Sequence, residues 1–142
     1  YVACPKKQDQ YYGIQGVGSF KNDDRIYSNY SHNFQDKKIN VVASKSHSNK
    51  ETENFINKLK ENYEVRTINV GSSLKFCLVA EGEADIYPRF GPTMEWDTCA
   101  PQIIAEESGA KVLVAETKEP LLYNKENLLN PFFVVSAQTV NY

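Results

Sequence analysis

The sequence predicts an α/β domain built in layers, in which helices pack on a mixed sheet. Two observations support this fold class. Short stretches rich in β-branched and aromatic residues recur along the chain, and helical patterns with one apolar face separate several of them. The 142 residues, 41% of them hydrophobic and 24% charged, suffice for one domain of ordinary size with a substantial core.

The amino-terminal part of the chain predicts a hairpin followed by a surface segment. Two β-favouring stretches within residues 1–20 flank a short polar turn. Gly13, Gly16 and Gly18 interrupt the second stretch without forming a phosphate-binding G-x-G-x-x-G motif before a helix, which favours bulges or close backbone contacts there. Residues 21–38 are polar and predict a long surface excursion.

The rest of the chain alternates strand and helix patterns. Five further strands are predicted, at residues 39–43, 65–70, 84–90, 111–115 and 131–136. Three helices are predicted between them: one capped by Ser48 or Asn49, one that opens at Gly71 and Ser72 and stops at Gly82, and one from Asp97 to Gly109. Pro101 must lie in or next to the first turn of the last helix, because deeper in a helix it would remove a hydrogen bond and clash with the preceding turn.

Charge and cysteine content narrow the function classes. A net charge of −2 and a pI near 5.7 argue against a large basic face for a nucleic-acid polymer. No apolar run approaches the roughly 18 residues of a transmembrane segment. Cys4, Cys77 and Cys99 are odd in number and form no C-x-x-C pair, which indicates buried, reduced thiols. We therefore expect a cytoplasmic protein, with peripheral association at the inner membrane as the alternative.

The first candidate for ligand binding is the run Gly71-Ser72-Ser73-Leu74-Lys75. A helix that starts at Ser72 would present free N–H groups at the positive end of its dipole. Lys75 would add a like charge in the first turn, and a bound phosphate would turn that unfavourable contact into an attraction. The alternative is a simple serine cap followed by a solvated lysine.

Three further residues each have a structural and a functional interpretation. Arg89 follows a predicted strand, where its guanidinium either grips a phosphate through paired N–H donors or forms a surface ion pair. Asp97 is either a helix N-cap or a ligand of a hard metal ion, for which carboxylate oxygen is a suitable donor. His47 lies in a loop after a predicted strand, where it either contacts a ligand or is a polar surface residue.

These segments together resemble the inositol-monophosphatase-like superfamily of metal-dependent phosphatases. The family signature W-D-x-x-A…E-x-G is similar to Trp96-Asp97-Thr98-Cys99-Ala100 and Glu106-Glu107-Ser108-Gly109. Its bacterial 3'(2'),5'-bisphosphate nucleotidase branch is similar in residues 71–82, in Tyr87-Pro88-Arg89, and in Leu129-Asn130-Pro131-Phe132-Phe133. The resemblance covers essentially the whole chain and implies the carboxy-terminal domain of the sugar-phosphatase fold.

The resemblance also implies a reaction and a set of site residues. The reaction is the Mg²⁺-dependent removal of the 3'-phosphate from adenosine 3',5'-bisphosphate, which yields AMP and phosphate. Asp97 is implied as a metal ligand, and the residues implied to line the nucleotide site are His47, Gly71, Ser72, Lys75, Arg89 and Asp97. Arg89 supports this branch, because inositol-phosphate phosphatases of the superfamily carry an acidic residue there, which disfavours a second phosphate.

One departure from the family pattern concerns the catalytic ligands. The family motif D-P-x-D-G-T, which with an upstream glutamate supplies most metal ligands, does not occur in this chain, and Tyr1 begins abruptly in strand-like composition. We expect residues 1–142 to be the carboxy-terminal half of a longer polypeptide, inactive without its amino-terminal catalytic half. Two alternatives are a phosphatase for inositol phosphate or another sugar phosphate, and a non-catalytic module that binds a nucleotide or a partner protein.

Overall fold

The computed structural model describes residues 1–28, 37–43 and 49–142. In chain order, its elements are β1 (Val2–Cys4), β2 (Asp9–Ile14), β3 (Gly18–Lys21), β4 (Asp24–Ile26), β5 (Lys38–Ala43), α1 (Lys50–Lys60), β6 (Glu64–Asn69), α2 (Leu74–Ala80), β7 (Ile86–Arg89), α3 (Glu95–Glu107), β8 (Lys111–Val114) and β9 (Phe133–Ser136). The predicted hairpin is confirmed in β1 and β2, and the predicted alternation of strands and helices is confirmed from β5 onwards.

The strands form two sheets. The first is an antiparallel meander in the order β1-β2-β3-β4. The second has the order β6-β5-β7-β9-β8; β5 is parallel to β6 and β7, whereas β9 is antiparallel to β7 and β8. The second sheet is therefore mixed, as predicted. The carboxyl ends of its parallel strands meet at one edge, where ligands bind in open α/β sheets.

The two sheets enclose a layer of helices. On the side of the first sheet, Tyr11 of β2 packs against Cys77 of α2 and Ile104 of α3. On the other side of the same helices, Phe76 belongs to a cluster with Val135 of the second sheet. The order of layers is therefore sheet, helices α2 and α3, sheet, and finally α1 on the outer face. The predicted layered α/β fold is confirmed.

Helix α1 has a defined start and one apolar face. The Oδ1 atom of Asn49 accepts the backbone N–H of Thr52 at 2.9 Å, which confirms the predicted cap at Asn49. Leu59 is buried against the second sheet, and Phe55 and Ile56 are partly buried in the same cluster. The predicted apolar face of this helix is confirmed.

A charged cluster joins the first sheet to the end of α2. The carboxylate of Glu81 accepts a hydrogen bond from the Tyr11 hydroxyl at 3.1 Å and pairs with the ammonium of Lys21 at 2.6 Å. Burial raises the pKa of Tyr11, so that its hydroxyl remains a donor. Because the Glu81 side chain is only 7% exposed, solvent screens this pair weakly, and the cluster fixes the sheet on the helix layer.

The start of the polar segment, residues 21–26, differs from the prediction, and residues 29–36 of that segment lie outside the described residues. Lys21 ends β3 and Asp24 begins β4, so a surface excursion is wrong for residues 21–26. Asn22 and Asp23 have φ values of 48° and 71°, the left-handed conformation that a two-residue hairpin turn requires and that Asn and Asp tolerate. Hydrogen bonds to β3 stabilise β4, although the charged composition of β4 does not favour a strand.

Helix α3 begins two residues earlier than predicted. It starts at Glu95, close to Asp97 as predicted, so Pro101 is its seventh residue and lies in the second turn, next to the first. Proline at this position removes the N–H that would bond to the carbonyl of Asp97. Pro101 is buried. Packing of α3 between the sheets offsets an intrinsic cost of about 3 kcal/mol.

The cysteines follow the prediction only in part. Cys4 and Cys77 are buried free thiols, but Cys99 is exposed on α3, so burial is wrong for Cys99. Cys99 lies one turn after the exposed Trp96, on the same outward face of the helix. The cytoplasmic location stays a prediction. Within the part of the chain that the structure describes, no helix is long and apolar enough to cross a bilayer.

Gly13 of β2 lies directly against α3, which confirms the predicted close backbone contact at this glycine. A Cβ atom at this position would be 2.9 Å from the carbonyl oxygen of Ile103. That oxygen belongs to helix backbone and cannot move without shifting α3. The first sheet can therefore approach the helix layer only through a residue without a side chain.

We expect Gly13→Ala to lower the free energy of unfolding by about 1–3 kcal/mol, because the new methyl group forces the sheet and α3 apart. Chemical denaturation followed by circular dichroism measures this change. Gly71→Ala is the matched control, since, apart from the chain neighbours of Gly71, no atom of the described residues lies within 4 Å of a Cβ built there. Equal stability of the two variants would contradict the tight contact between β2 and α3.

Candidate functional site

A cavity of about 310 Å³ opens where α2 and α3 begin. The turn before α2 forms one wall, the residues that lead into α3 form another, and the ends of β7 and β9 form its floor. This place coincides with the carboxyl edge of the parallel strands. Its lining residues are Gly71, Ser72, Ser73, Lys75, Phe76, Tyr87, Arg89, Pro92, Thr93, Asp97, Thr98 and Phe133.

The structure brings five of the six candidate residues together. Gly71, Ser72, Lys75, Arg89 and Asp97 all line this cavity. His47 lies outside the described residues. Because these residues line one cavity, they can contact the same ligand. Their roles toward a nucleotide or a metal stay predictions.

Lys75 places a positive charge in a buried position. It is 5% exposed, its Nζ atom donates to the carbonyl oxygen of Ser72 at 3.1 Å, and the ammonium lies 5.3 Å from the centre of the Tyr87 ring. Burial lowers the pKa of Lys75, and the charge of Arg89 lowers it further. The alternative of a solvated lysine is therefore wrong. An anion in the cavity would favour the charged form of Lys75.

Arg89 supplies a second positive charge at the end of β7. Its Nη2 atom donates to the carbonyl oxygen of Pro92 at 3.0 Å, which holds the guanidinium at the cavity wall. Its Nε atom is buried and has no hydrogen-bond partner among residues 1–28, 37–43 and 49–142. A buried donor without a partner is unfavourable, so an acceptor such as a phosphate oxygen would stabilise this conformation.

Asp97 supplies the negative group of the cavity. It is the third residue of α3 and not its N-cap; its Oδ2 atom accepts the backbone N–H of Met94, the actual cap residue, at 2.9 Å. This bond fixes the carboxylate in the first turn of α3, where the helix dipole favours negative charge. The side chain is exposed, so it remains accessible to a cation.

The turn before α2 differs from the prediction. The helix begins at Leu74 after Ser73, so Ser72 is not its cap. Ser72 instead has a φ of 61°, a left-handed conformation that non-glycine residues rarely adopt. Its carbonyl oxygen accepts the Lys75 ammonium. Ser72 thus contacts the Lys75 side chain through its backbone carbonyl, and the predicted cap at Ser72 is wrong.

Aromatic rings form the floor of the cavity, and sequence analysis did not identify them. The ring centres of Phe76, Tyr87 and Phe133 lie 5.6 to 6.0 Å apart. Burial raises the pKa of Tyr87 to about 12, so the ring stays neutral at physiological pH. Tyr87 and Arg89 are two residues apart in β7, and this spacing was a signal that both point to the same face.

The donor chemistry at Asp97 fits a magnesium ion, but only as one ligand. Mg²⁺ prefers carboxylate and water oxygens in octahedral geometry. In the described parts of the chain, no group of three or more His, Cys, Asp or Glu side chains could hold a metal ion. Asp97 would therefore contribute one oxygen, and further ligands would have to come from elsewhere.

Comparison with known sequences identifies relatives of this chain. The profile of the Inositol monophosphatase family matches residues 1–138. The 3'(2'),5'-bisphosphate nucleotidase CysQ of Escherichia coli (strain K12) is 50% identical over 97 residues, which are 68% of this chain and 38% of that protein. The protein of the same name from Aggregatibacter actinomycetemcomitans is 33% identical over 137 residues, 94% of this chain and 50% of the relative. The chain thus spans half or less of the length of these relatives.

Comparison with solved structures gives the same picture. CysQ from Bacteroides thetaiotaomicron, described as a bacterial member of the inositol monophosphatase family, matches with a TM-score of 0.85 and 40% identity over 96% of this chain and 56% of that chain. Inositol monophosphatase from Anabaena (Nostoc) sp. PCC 7120 matches with a TM-score of 0.69 and 22% identity over 93% of this chain and 50% of that one. The second match concerns the fold alone.

We expect Lys75→Met to stabilise the protein at neutral pH, in the absence of anions, by on the order of 1 kcal/mol. Folding lowers the pKa of Lys75, so the unfolded chain holds this proton more tightly. The charged lysine therefore destabilises the folded state. This destabilisation is complete at pH values below the lowered pKa, and it vanishes as the pH rises above the ordinary pKa of 10.5. Thermal unfolding at pH 7 and at more alkaline pH measures the difference between wild type and variant.

The exposed Lys7, in the turn between β1 and β2, provides the matched control as Lys7→Met, which should leave stability nearly unchanged. Inorganic phosphate should raise the melting temperature of the wild type more than that of Lys75→Met, because the variant lacks the buried cation. A destabilised Lys75→Met protein would show instead that the Ser72 and Tyr87 contacts outweigh the cost of burial.

Proposed function

The chain belongs to the inositol monophosphatase family, and from this membership we propose that the full-length protein is a magnesium-dependent phosphatase. Its proposed substrate is adenosine 3',5'-bisphosphate, and its products are AMP and inorganic phosphate. The observation that carries this proposal is the position of Lys75, Arg89 and Asp97 in one cavity. Two cations and one carboxylate suit a phosphorylated ligand that is bound together with a metal ion.

The two cations favour a ligand with more than one negative charge. Lys75 and Arg89 face one cavity, and the charge of Arg89 lowers the pKa of Lys75, so each destabilises the other's charge in the absence of an anion. A sugar hydroxyl would not relieve this repulsion, whereas phosphate oxygens would accept from both side chains. A bisphosphate is therefore preferred over a monophosphorylated sugar.

The names of the matching relatives support the same proposed substrate. The CysQ proteins that match this chain at 33% to 50% identity bear the name 3'(2'),5'-bisphosphate nucleotidase. The chain also shares its fold with inositol monophosphatases, which makes a sugar-phosphate phosphatase the alternative enzyme. Arg89 favours the nucleotidase, because a guanidinium at this position is suited to a second phosphate group.

The residues of this chain have distinct roles in the proposed reaction. Lys75 and Arg89 orient the phosphates by donating hydrogen bonds to their oxygens, and Asp97 would hold Mg²⁺ through one carboxylate oxygen. Bound Mg²⁺ supplies neutralisation of phosphate charge and activation of water. Water attacks the 3'-phosphorus, the bond from phosphorus to the 3'-oxygen breaks, and a proton lost by the attacking water ends on the 3'-oxygen, which gives the 3'-hydroxyl group of AMP.

The remaining metal ligands are proposed to lie in an amino-terminal half that this chain does not include. The first sheet offers a surface for it. Tyr12 and Phe20 stack with ring centres 5.0 Å apart on the face opposite the helix layer, and Ile14 on the same face is 49% exposed. An exposed apolar face of this kind is typical of a surface that another part of the protein covers.

Hydrolysis by the full-length protein tests the proposed function. With Mg²⁺ present, we expect kcat/KM for adenosine 3',5'-bisphosphate to exceed that for inositol 1-phosphate, and a chelator to abolish both activities. Release of inorganic phosphate is the measurement. Faster hydrolysis of inositol phosphate would favour the sugar-phosphate alternative. Nucleotide binding without any hydrolysis would favour the non-catalytic module.

We expect Arg89→Glu to weaken binding of adenosine 3',5'-bisphosphate by roughly a hundredfold, because it removes a charged donor and places a carboxylate beside phosphate. Isothermal titration of full-length protein measures the affinity. Arg66→Glu, on the exposed strand β6, is the matched charge reversal and should change affinity little. Unchanged affinity in Arg89→Glu would remove this residue from the site.

A further inference from the structure

We propose that Asn130 is a positioning residue for the metal site. Its buried amide group fixes the first turn of α3 and thereby sets the direction of the Asp97 carboxylate. This inference rests on the proposed function, which gives Asp97 its role as a ligand of Mg²⁺. It extends that function to a residue that is not among those lining the cavity.

The Asp97 carboxylate is held by the backbone of Met94. The Oδ2 atom of Asp97 accepts the N–H of Met94 at 2.9 Å, and the N–H of Asp97 donates to the carbonyl oxygen of Met94, also at 2.9 Å. The two residues are therefore bonded to each other in both directions, as in a capping box. The direction of the carboxylate consequently depends on where the backbone of Met94 lies.

Asn130 binds that same backbone. Its Nδ2 atom donates to the Met94 carbonyl at 2.9 Å and to the Thr98 hydroxyl at 3.0 Å, so one amide group spans the first turn of α3. The hydroxyl of Thr93 lies 3.3 Å from the same nitrogen. Thr93 and Thr98 both line the cavity. The amide thus joins two residues of the cavity wall to the residue that orients Asp97.

A short antiparallel pairing with residues 93–95 holds Asn130 in place. Its backbone N–H donates to the carbonyl of Thr93 at 2.9 Å, and the preceding residue, Leu129, forms a β-bridge with Met94. Asn130 is only 5% exposed, so water competes little for its hydrogen bonds. Because the backbone is paired and the side chain is buried, the amide can hold Met94 in one position.

The oxygen of the Asn130 amide has no partner. The donor bonds described above fix which end of the amide is the nitrogen. In the described part of the chain, no group donates to the buried Oδ1 atom. A buried acceptor without a donor is unfavourable, and an apolar side chain of similar size would avoid it. Packing alone therefore does not explain an asparagine here, whereas the two N–H donors do.

Binding of Mg²⁺ by the full-length protein tests this inference. Asn130→Leu removes the donors, and we expect it to raise the Kd for Mg²⁺ roughly tenfold, as is typical when a supporting partner of a metal ligand is lost. Isothermal titration calorimetry without nucleotide measures this affinity. In the absence of Mg²⁺, the affinity for adenosine 3',5'-bisphosphate should change little, because Lys75 and Arg89 lie on α2 and β7.

A double-mutant cycle separates positioning from general damage to the fold. Asp97→Asn should also weaken Mg²⁺ binding, and adding Asn130→Leu to that variant should weaken it no further, since no carboxylate is left to position. Additive effects of the two substitutions would overturn the inference. Unchanged Mg²⁺ affinity in Asn130→Leu alone would overturn it as well. Asn130→Ala, which cannot clash, replaces Asn130→Leu in the cycle if the leucine variant does not fold.

Thr52→Val is the matched control. Thr52 is also buried, and its hydroxyl donates to the Oδ1 atom of Asn49 at 2.7 Å, but it lies in α1 on the outer face of the second sheet. Loss of this hydrogen bond should lower stability and leave Mg²⁺ affinity unchanged. Weaker Mg²⁺ binding in Thr52→Val would show that any loss of stability has this effect, which would contradict a specific role of Asn130.

The same measurements distinguish failure of the inference from failure of the proposed function. If Asp97→Asn leaves Mg²⁺ affinity unchanged, Asp97 is not a metal ligand, and the role of Asn130 fails with it. If Asp97→Asn weakens Mg²⁺ binding and Asn130→Leu does not, only the positioning role fails. If the wild type binds Mg²⁺ but hydrolyses no bisphosphate, the proposed function fails, and the cycle still decides the role of Asn130.

Discussion

Helix α2 is buried on all sides, and this constraint determines the electrostatics of the site. Every residue from Lys75 to Ala80 is buried, because the helix lies between two sheets. The Lys75 ammonium therefore has a carbonyl and an aromatic ring as neighbours in place of water. Burial of a cation is unfavourable unless an anion compensates it. The layered fold thus buries a positive charge that an anion would stabilise.

The elements of the second sheet could be predicted from sequence because their apolar patterns are long and regular. Leu59 and its neighbours repeat at helical spacing, and the strands on either side are rich in β-branched residues. The start of α3 could not be predicted, since Asp is common both at the N-cap and at the third helical position, and Met94 gives no capping signal. Pro101 shows tertiary packing overriding local propensity.

The site could be predicted in its charged residues but not in its walls. Each of Lys75, Arg89 and Asp97 also has a structural interpretation in the sequence, and only the resemblance to family motifs singles the three residues out. The rings of Phe76, Tyr87 and Phe133 look like ordinary core residues until the fold places them below the cavity. A hydrogen-bond deficit, such as that at the Asn130 oxygen, exists only in three dimensions, and no residue pattern reveals it.

The unequal exposure of the three cysteines provides a natural attachment point for a spectroscopic label. Cys4 and Cys77 are buried, and burial raises the pKa of Cys77 to about 12, whereas Cys99 is exposed two residues after Asp97. A maleimide dye would react at Cys99 and spare the other two, since alkylation requires an accessible thiolate. Fluorescence from a single dye at Cys99 would then report on the surroundings of the outward face of α3, which also carries Trp96.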